Sequence, residues 1–89
     1  MKAVITFIGN DRLGIVFRAS ELAVKYGLNI NDINQTIMDG FFTMFMIVDI
    51  SGQTVPFDEI VKGYAELGEE LGMYIKVQHE DIFNSMHQI

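Results

Sequence analysis

Eighty-nine residues with no cysteine and a net charge of -6 set the first limits. A chain of this length makes one domain, residues 1–89, that buries roughly 60–68% of the surface its unfolded form exposes. Disulfides and thiolate metal sites are excluded, so stability must come from apolar packing or from association, in keeping with a cytoplasmic chain. The Lys and Arg residues are scattered singly, which opposes the phosphate attraction behind most non-specific nucleic-acid affinity. Gly40 to Val48, the longest uncharged apolar stretch, is far shorter than the ~18–20 residues a membrane helix needs, and the N-terminus lacks a signal-peptide pattern. A soluble protein with no direct nucleic-acid or membrane partner is expected.

Lys2 to Ile8 alternates Lys2, Val4, Thr6 and Ile8 against Ala3, Ile5 and Phe7, a strand apolar enough on both faces to be central. Gly9-Asn10-Asp11-Arg12-Leu13-Gly14 then breaks the run as a tight polar turn. From Gly14 to Tyr26, Ile15, Ala19, Leu22 and Tyr26 recur at helical spacing, and Val16 and Ala23 widen the stripe. Glu21 and Lys25 are spaced as an i,i+4 pair, and Gly27 suits a left-handed helix cap. Leu28 to Asp39 reads as a second strand whose apolar set changes register near Asn31-Asp32, which predicts a bulge. Asp39-Gly40 is a hairpin signal.

Phe41 to Ile50 is apolar on both faces and predicts a second central strand. Pro56 opens a second helix, and Asp58 and Glu59 favour its positive end. Phe57, Ile60, Val61, Tyr64, Leu67 and Leu71 make one face of that helix up to a stop at Gly72. Gly63 and Gly68 inside it cost about 1 kcal/mol each relative to Ala, so one of them is expected to mark close packing on the sheet. Met73 to His79 alternates as a fourth strand, and Ile82, Phe83, Met86 and Ile89 predict a short C-terminal helix.

The order β-α-β-β-α-β defines an α+β, ferredoxin-like domain: an antiparallel sheet with two helices on one face, plus the short C-terminal helix. Strands one and three are central in that arrangement. The face opposite the helices then carries Phe41, Phe45 and Ile47, which predicts a homo-oligomer, most simply a two-fold dimer. Alternatively, the C-terminal helix covers part of that face within its own chain.

The turn is the chemically suggestive stretch. A helix N-terminus exposes unpaired N–H groups and positive potential suited to a carboxylate, and Gly14 lets a ligand approach the backbone. The Asp11 carboxylate suits an ammonium, and it equally suits an ordinary helix cap. Asn29, with Asn34 or Gln35 contributed across a dimer, supplies neutral hydrogen bonds; these residues also serve as polar edge-strand positions. His79-Glu80-Asp81 and His87 match no familiar metal-ligand spacing, and neither His can be placed beside Ser20, Ser51 or Ser85. No catalytic set, metal or cofactor is therefore assigned.

Val4-Ile5-Thr6-Phe7-Ile8-Gly9-Asn10-Asp11-Arg12-Leu13-Gly14-Ile15, followed by Gly27-Leu28-Asn29-Ile30-Asn31-Asp32-Ile33, resembles the ACT domain family of small-molecule-binding regulatory modules. It is most similar to stand-alone ACT proteins and to the ACT domains of glycine-cleavage repressors and formyltetrahydrofolate deformylases. The resemblance implies a ferredoxin-like fold, dimerisation, and an amino acid or similar ligand held between subunits beside the first β-α turn. By position, Asn10, Asp11, Gly14 and Ile15 would form that turn with Arg12 inside it, and Asn29 would face it from the start of strand two. Leu13 stands where many relatives have Pro. An unidentified regulator or enzyme would receive the signal.

Two other readings remain beside this one. Gly14-Ile15-Val16-Phe17-Arg18 resembles the G-V-x-F-R phosphate loop of acylphosphatases, hydrolases of the same topology whose Arg binds phosphate, although the preceding G-x-V-Q portion is missing. A pure assembly module, with the turn empty, is the other.

Overall fold

The computed structural model describes residues 1–10 and 14–82. Its alternating segments form β1 (Lys2–Gly9), β2 (Asn29–Met38), β3 (Phe41–Asp49) and β4 (Tyr74–His79), with α1 (Ile15–Lys25) after β1 and α2 (Phe57–Leu71) after β3. The sheet order is β2-β3-β1-β4, and every neighbouring pair is antiparallel. The two most apolar strands are thus interior, the ferredoxin-like arrangement their composition predicts. A helical turn at residues 80–82 follows β4; the rest of the expected C-terminal helix lies outside the described residues.

Strand alternation sorts the side chains into layers. Ala3, Ile5 and Phe7 of β1 and Phe42, Met44, Met46 and Val48 of β3 are buried beneath Ile15, Ala19 and Ala23 of α1 and Ile60, Tyr64 and Leu67 of α2. Tyr64 ties the layers together: its ring meets Phe7 edge-on at 6.2 Å, and its hydroxyl donates to the Ala19 carbonyl at 2.8 Å. Burial pushes its phenol above the ordinary tyrosine range.

The predicted bulge is present, as a register shift between Ile30 and Asp32. Its effect is to keep both Ile30 and Ile33 packed on the helix-bearing side, while Asp32 stands opposite Ile47 and Asn34 opposite Phe45 on the other side. The β2-β3 hairpin turns through Asp39 (φ 51°) and Gly40 (φ 82°), the left-handed pair a two-residue connection requires.

Both helix glycines turn out to be close-approach positions. A Cβ on Gly68 would lie 2.6 Å from the Met73 carbonyl oxygen, and one on Gly63 would strike the Tyr26 ring. Gly63 therefore lets α2 approach α1, and Gly68 lets it approach the chain entering β4. The Glu21–Lys25 pair does not form. Glu21 turns instead to Arg18 at 3.7 Å, and Arg18 also bridges to Glu70 of α2, which holds the Glu70 carboxyl below the usual carboxylate range. The Lys25 ammonium lies over the Tyr26 ring at 5.9 Å.

The face away from the helices is less bare than its topology implies. Val4 is only 5% exposed, and Phe45 and Ile47 are half-buried. Greater apolar exposure lies at Phe17 (67%), Val24 (77%) and Ile37 (67%). Ile37 is on edge strand β2. Phe17 and Val24 lie on a flank of α1 away from Arg18, Leu22 and Lys25, which line the groove against α2.

Candidate ligand-binding site

β1 ends at Gly9, directly opposite Phe42 of β3, which is in turn opposite Ile37 of β2. The chain leaves this end of the sheet through exposed Asn10, and the described residues resume at Gly14. Gly14 is the N-cap of α1, with φ 81°, no side-chain cap, and no acidic residue in the first helical turn. A Cβ there would meet no described residue within 4 Å, so among the described residues the glycine serves the left-handed backbone and not a close approach. The first N–H groups of α1 thus carry their positive potential with no carboxylate in that helical turn. Ile15, 4% exposed, anchors the helix in the core, so only its backbone is available to a ligand.

At the same end of the sheet, Gln35, Thr36, Ile37 and Phe42 line a cavity of about 300 Å³. Gln35 stands opposite Met44, whose side chain is buried beneath the helices, so it shares their side of the sheet. Residue by residue, the structure brings Asn10, Gly14, Ile15 and Gln35 to one end of the sheet. Asp11 and Arg12 lie outside the described residues.

Asn34 and Asn29 go elsewhere. Asn34 stands opposite Phe45 on the face away from the helices, where it lines a separate cavity. Asn29 stands opposite Asp49, which also pairs with Lys2, and its amide donates to Asn31 at 3.1 Å. That is the far end of the sheet, seven residues along β1 from Gly9, or roughly 23 Å at 3.3 Å per residue. Within one chain, Asn29 therefore does not face the turn. Because β1 and β2 are both antiparallel to β3, they run parallel to each other, so the start of β2 is level with the start of β1.

Arg18 does not form a phosphate cradle. α1 has already begun at Ile15, and the guanidinium is engaged by Glu21 and Glu70. His79 stacks on Phe57 at 4.0 Å with 20° between the rings, a packing role. Sequence reasoning missed Ile37 and Phe42 as parts of the site. The usable signal was the Asp39-Gly40 hairpin, which returns β3 to the level of Gly9.

Comparison with known proteins converges on one family. A family model described as an ACT domain matches residues 2–78. A UPF0237 protein of Listeria monocytogenes is 48% identical over 89 residues, covering 100% of both chains. An ACT domain protein from Streptococcus pneumoniae superposes with a TM-score of 0.81 at 38% identity, covering 93% of each chain. A formyltetrahydrofolate deformylase from Pseudomonas syringae shares the fold alone, with a TM-score of 0.77 at 18% identity over 88% of this chain and 27% of its own.

Proposed function

This chain belongs to the ACT domain family of small-molecule-binding regulatory domains, and from that premise we propose that it binds an amino acid at a site completed across a two-fold dimer. The carrying observation is the turn end of the sheet. There, an α1 N-terminus with no side-chain cap among the described residues and no first-turn carboxylate lies at the same end of the sheet as a cavity of about 300 Å³, a volume at the lower end of small-molecule pockets.

The chemistry divides naturally over such a ligand. Its carboxylate takes the N–H groups that follow Gly14, its ammonium takes the Asp11 carboxylate, and its side chain enters the cavity along Ile37 and Phe42, with Gln35 as a neutral hydrogen-bonding group. Asn10 borders the entrance and Arg12 flanks Asp11 in sequence.

Dimerisation through the β2 edge supplies what one chain lacks. An edge strand offers unpaired backbone groups to a second copy, and the exposed Phe17, Val24 and Ile37 supply apolar surface for such a contact. A two-fold axis pairs β2 with itself antiparallel. A pairing centred near the middle of the strand carries Asn29 of the partner subunit to the level of the Asp39-Gly40 hairpin, the turn end of the site. Ligand binding then shifts association, because only a difference in affinity between two states can move their equilibrium. An unidentified regulator or enzyme in the cytoplasm reads that shift, and this chain has no catalytic role.

Calorimetry against the protein amino acids tests this reading. One of them is expected to bind with one site per chain and, at a hundred times its Kd, to stabilise the fold by about 2.7 kcal/mol, a rise in Tm of roughly 10–20 °C. No heat and no thermal shift with any amino acid would leave the assembly reading in its place. Hydrolysis of acyl phosphates that is lost in Arg18→Ala would restore the enzyme reading.

A further inference from the structure

The sheet face away from α1 and α2 holds a second cavity, of about 230 Å³, lined by Val4, Asp32, Asn34, Phe45 and Ile47. The strand register explains how these residues meet. Asp32 stands opposite Ile47, which stands opposite Val4, and Asn34 stands opposite Phe45 one rung along. Facing pairs of this kind hold their Cβ atoms about 4.5–5.5 Å apart. The floor is therefore apolar, with Val4 buried and Phe45 and Ile47 half-buried, and the wall on β2 is an exposed carboxylate beside an amide.

The β2 bulge produces this arrangement. Had the register continued past Ile30, Asn31 would face Ile47; the shift puts Asp32 there instead, a re-aiming that bulges commonly perform near functional sites. Asp32 makes no salt bridge among the described residues. Two lysines share this face in adjacent rungs: Lys76 sits across Thr6 and Phe45 from Asn34, three strand spacings or roughly 14 Å away, and Lys2 sits opposite Asp49, two strand spacings or roughly 10 Å from β2.

We propose that this cavity binds a small aliphatic ammonium ion. Its hydrocarbon chain lies on Val4, Phe45 and Ile47, and its charged head sits at the rim between the Asp32 carboxylate and the Asn34 amide oxygen. The chain's net charge of -6 favours cation approach. A neutral ligand of the same shape forgoes the carboxylate, and an anion is repelled by it. This site shares no residue with the amino-acid site at the turn and lies on the other side of the sheet, so the two proposals stand or fall separately.

The test is a methyl-resolved NMR titration with n-alkylammonium chlorides from ethyl to hexyl, alongside the matching n-alkanols. Shifts are expected at the Val4 and Ile47 methyls, with affinity rising about fourfold per added methylene until the cavity is filled. At low salt the ammonium should bind about fivefold tighter than the alcohol, the scale of an exposed ion pair. Asp32→Asn, at an exposed edge position, should abolish that preference while leaving alcohol binding and the core methyl spectrum unchanged. Three results would overturn the proposal: no shift at Val4 or Ile47 at tens of millimolar, equal affinity of ammonium and alcohol for the unmodified protein, or shifts that disappear as protein concentration rises. The last would assign the face to a second copy of the chain.

Discussion

Ile37→Lys is expected to dissociate the proposed β2-edge dimer while leaving the protomer folded. Ile37 is 67% exposed in the single chain, so the substitution removes little intramolecular packing, and a surface change of this kind stays within about 0.5 kcal/mol of neutral. Pairing through β2 would bury the new ammonium against a second copy without a counter-charge. A charge taken out of water unpaired costs several kcal/mol, enough to weaken association about a hundredfold or more at 1.4 kcal/mol per tenfold change. Sedimentation across a concentration series reads this directly. Phe41→Lys makes the informative contrast, since Phe41 is 54% exposed but lies on the open face. If Phe41→Lys dissociates the dimer and Ile37→Lys does not, the copies pair face to face instead.

The largest stability effect outside the packed core is expected at Gly27→Ala, a loss of about 2–4 kcal/mol. Two costs combine there. Gly27 has φ 73°, and a left-handed conformation costs a residue bearing a Cβ about 1–2 kcal/mol. The added Cβ would also drive into the Gly52 carbonyl oxygen and lie 3.0 Å from Thr54 Cγ2, overpacking of a kind that costs about 1–3 kcal/mol. Thr54 cannot readily withdraw, because its N–H donates to the Tyr26 carbonyl at 2.9 Å and its hydroxyl donates to the Lys25 carbonyl at 3.3 Å. Gly14→Ala separates the two costs. Its φ is 81°, but no described residue lies within 4 Å of the new Cβ, so the dihedral penalty of about 1–2 kcal/mol is the cost expected. Thermal unfolding should place Gly27→Ala well below Gly14→Ala; equal losses would mean that the Gly52–Thr54 loop yields.

What could be read from the amino-acid order follows the reach of the physics involved. Alternation in β1 and β3, the bulge beside Asn31, the Asp39-Gly40 hairpin and the Gly27 and Gly72 helix stops are local, each settled by a few neighbouring residues. Partner choice at a distance was not legible in the same way. Glu21 was spaced for Lys25, yet Arg18, drawn between Glu21 and Glu70, takes it. Gly63 and Gly68 read as weak points of a helix, and only the packed structure reveals the Tyr26 ring and the Met73 carbonyl against them.

The site divides along the same line. Gly14 and its helix N-terminus were apparent from the turn alone. The family resemblance implies that Asn29 faces that turn, and the strand order places it at the far end of the sheet of its own chain. Asn34 and Gln35, neighbours in sequence, part to opposite faces because strand side chains alternate; the bulge decides which goes where. Ile37 and Phe42 are ordinary apolar residues until the hairpin sets them level with Gly9.

A site shared between subunits has one consequence that a site within a single chain lacks. Asp11→Ala and Asn29→Ala, each alone, disable every site in their own homodimers. In an equimolar exchanged mixture, half of the dimers are mixed, and each mixed dimer rebuilds one of its two sites from the intact turn of one subunit and the intact Asn29 of the other. Calorimetry with the amino-acid ligand should therefore recover about a quarter of the unmodified protein's sites per chain at unmodified affinity. Recovery of none, with subunit exchange verified by native mass spectrometry, would contradict a site completed across the dimer.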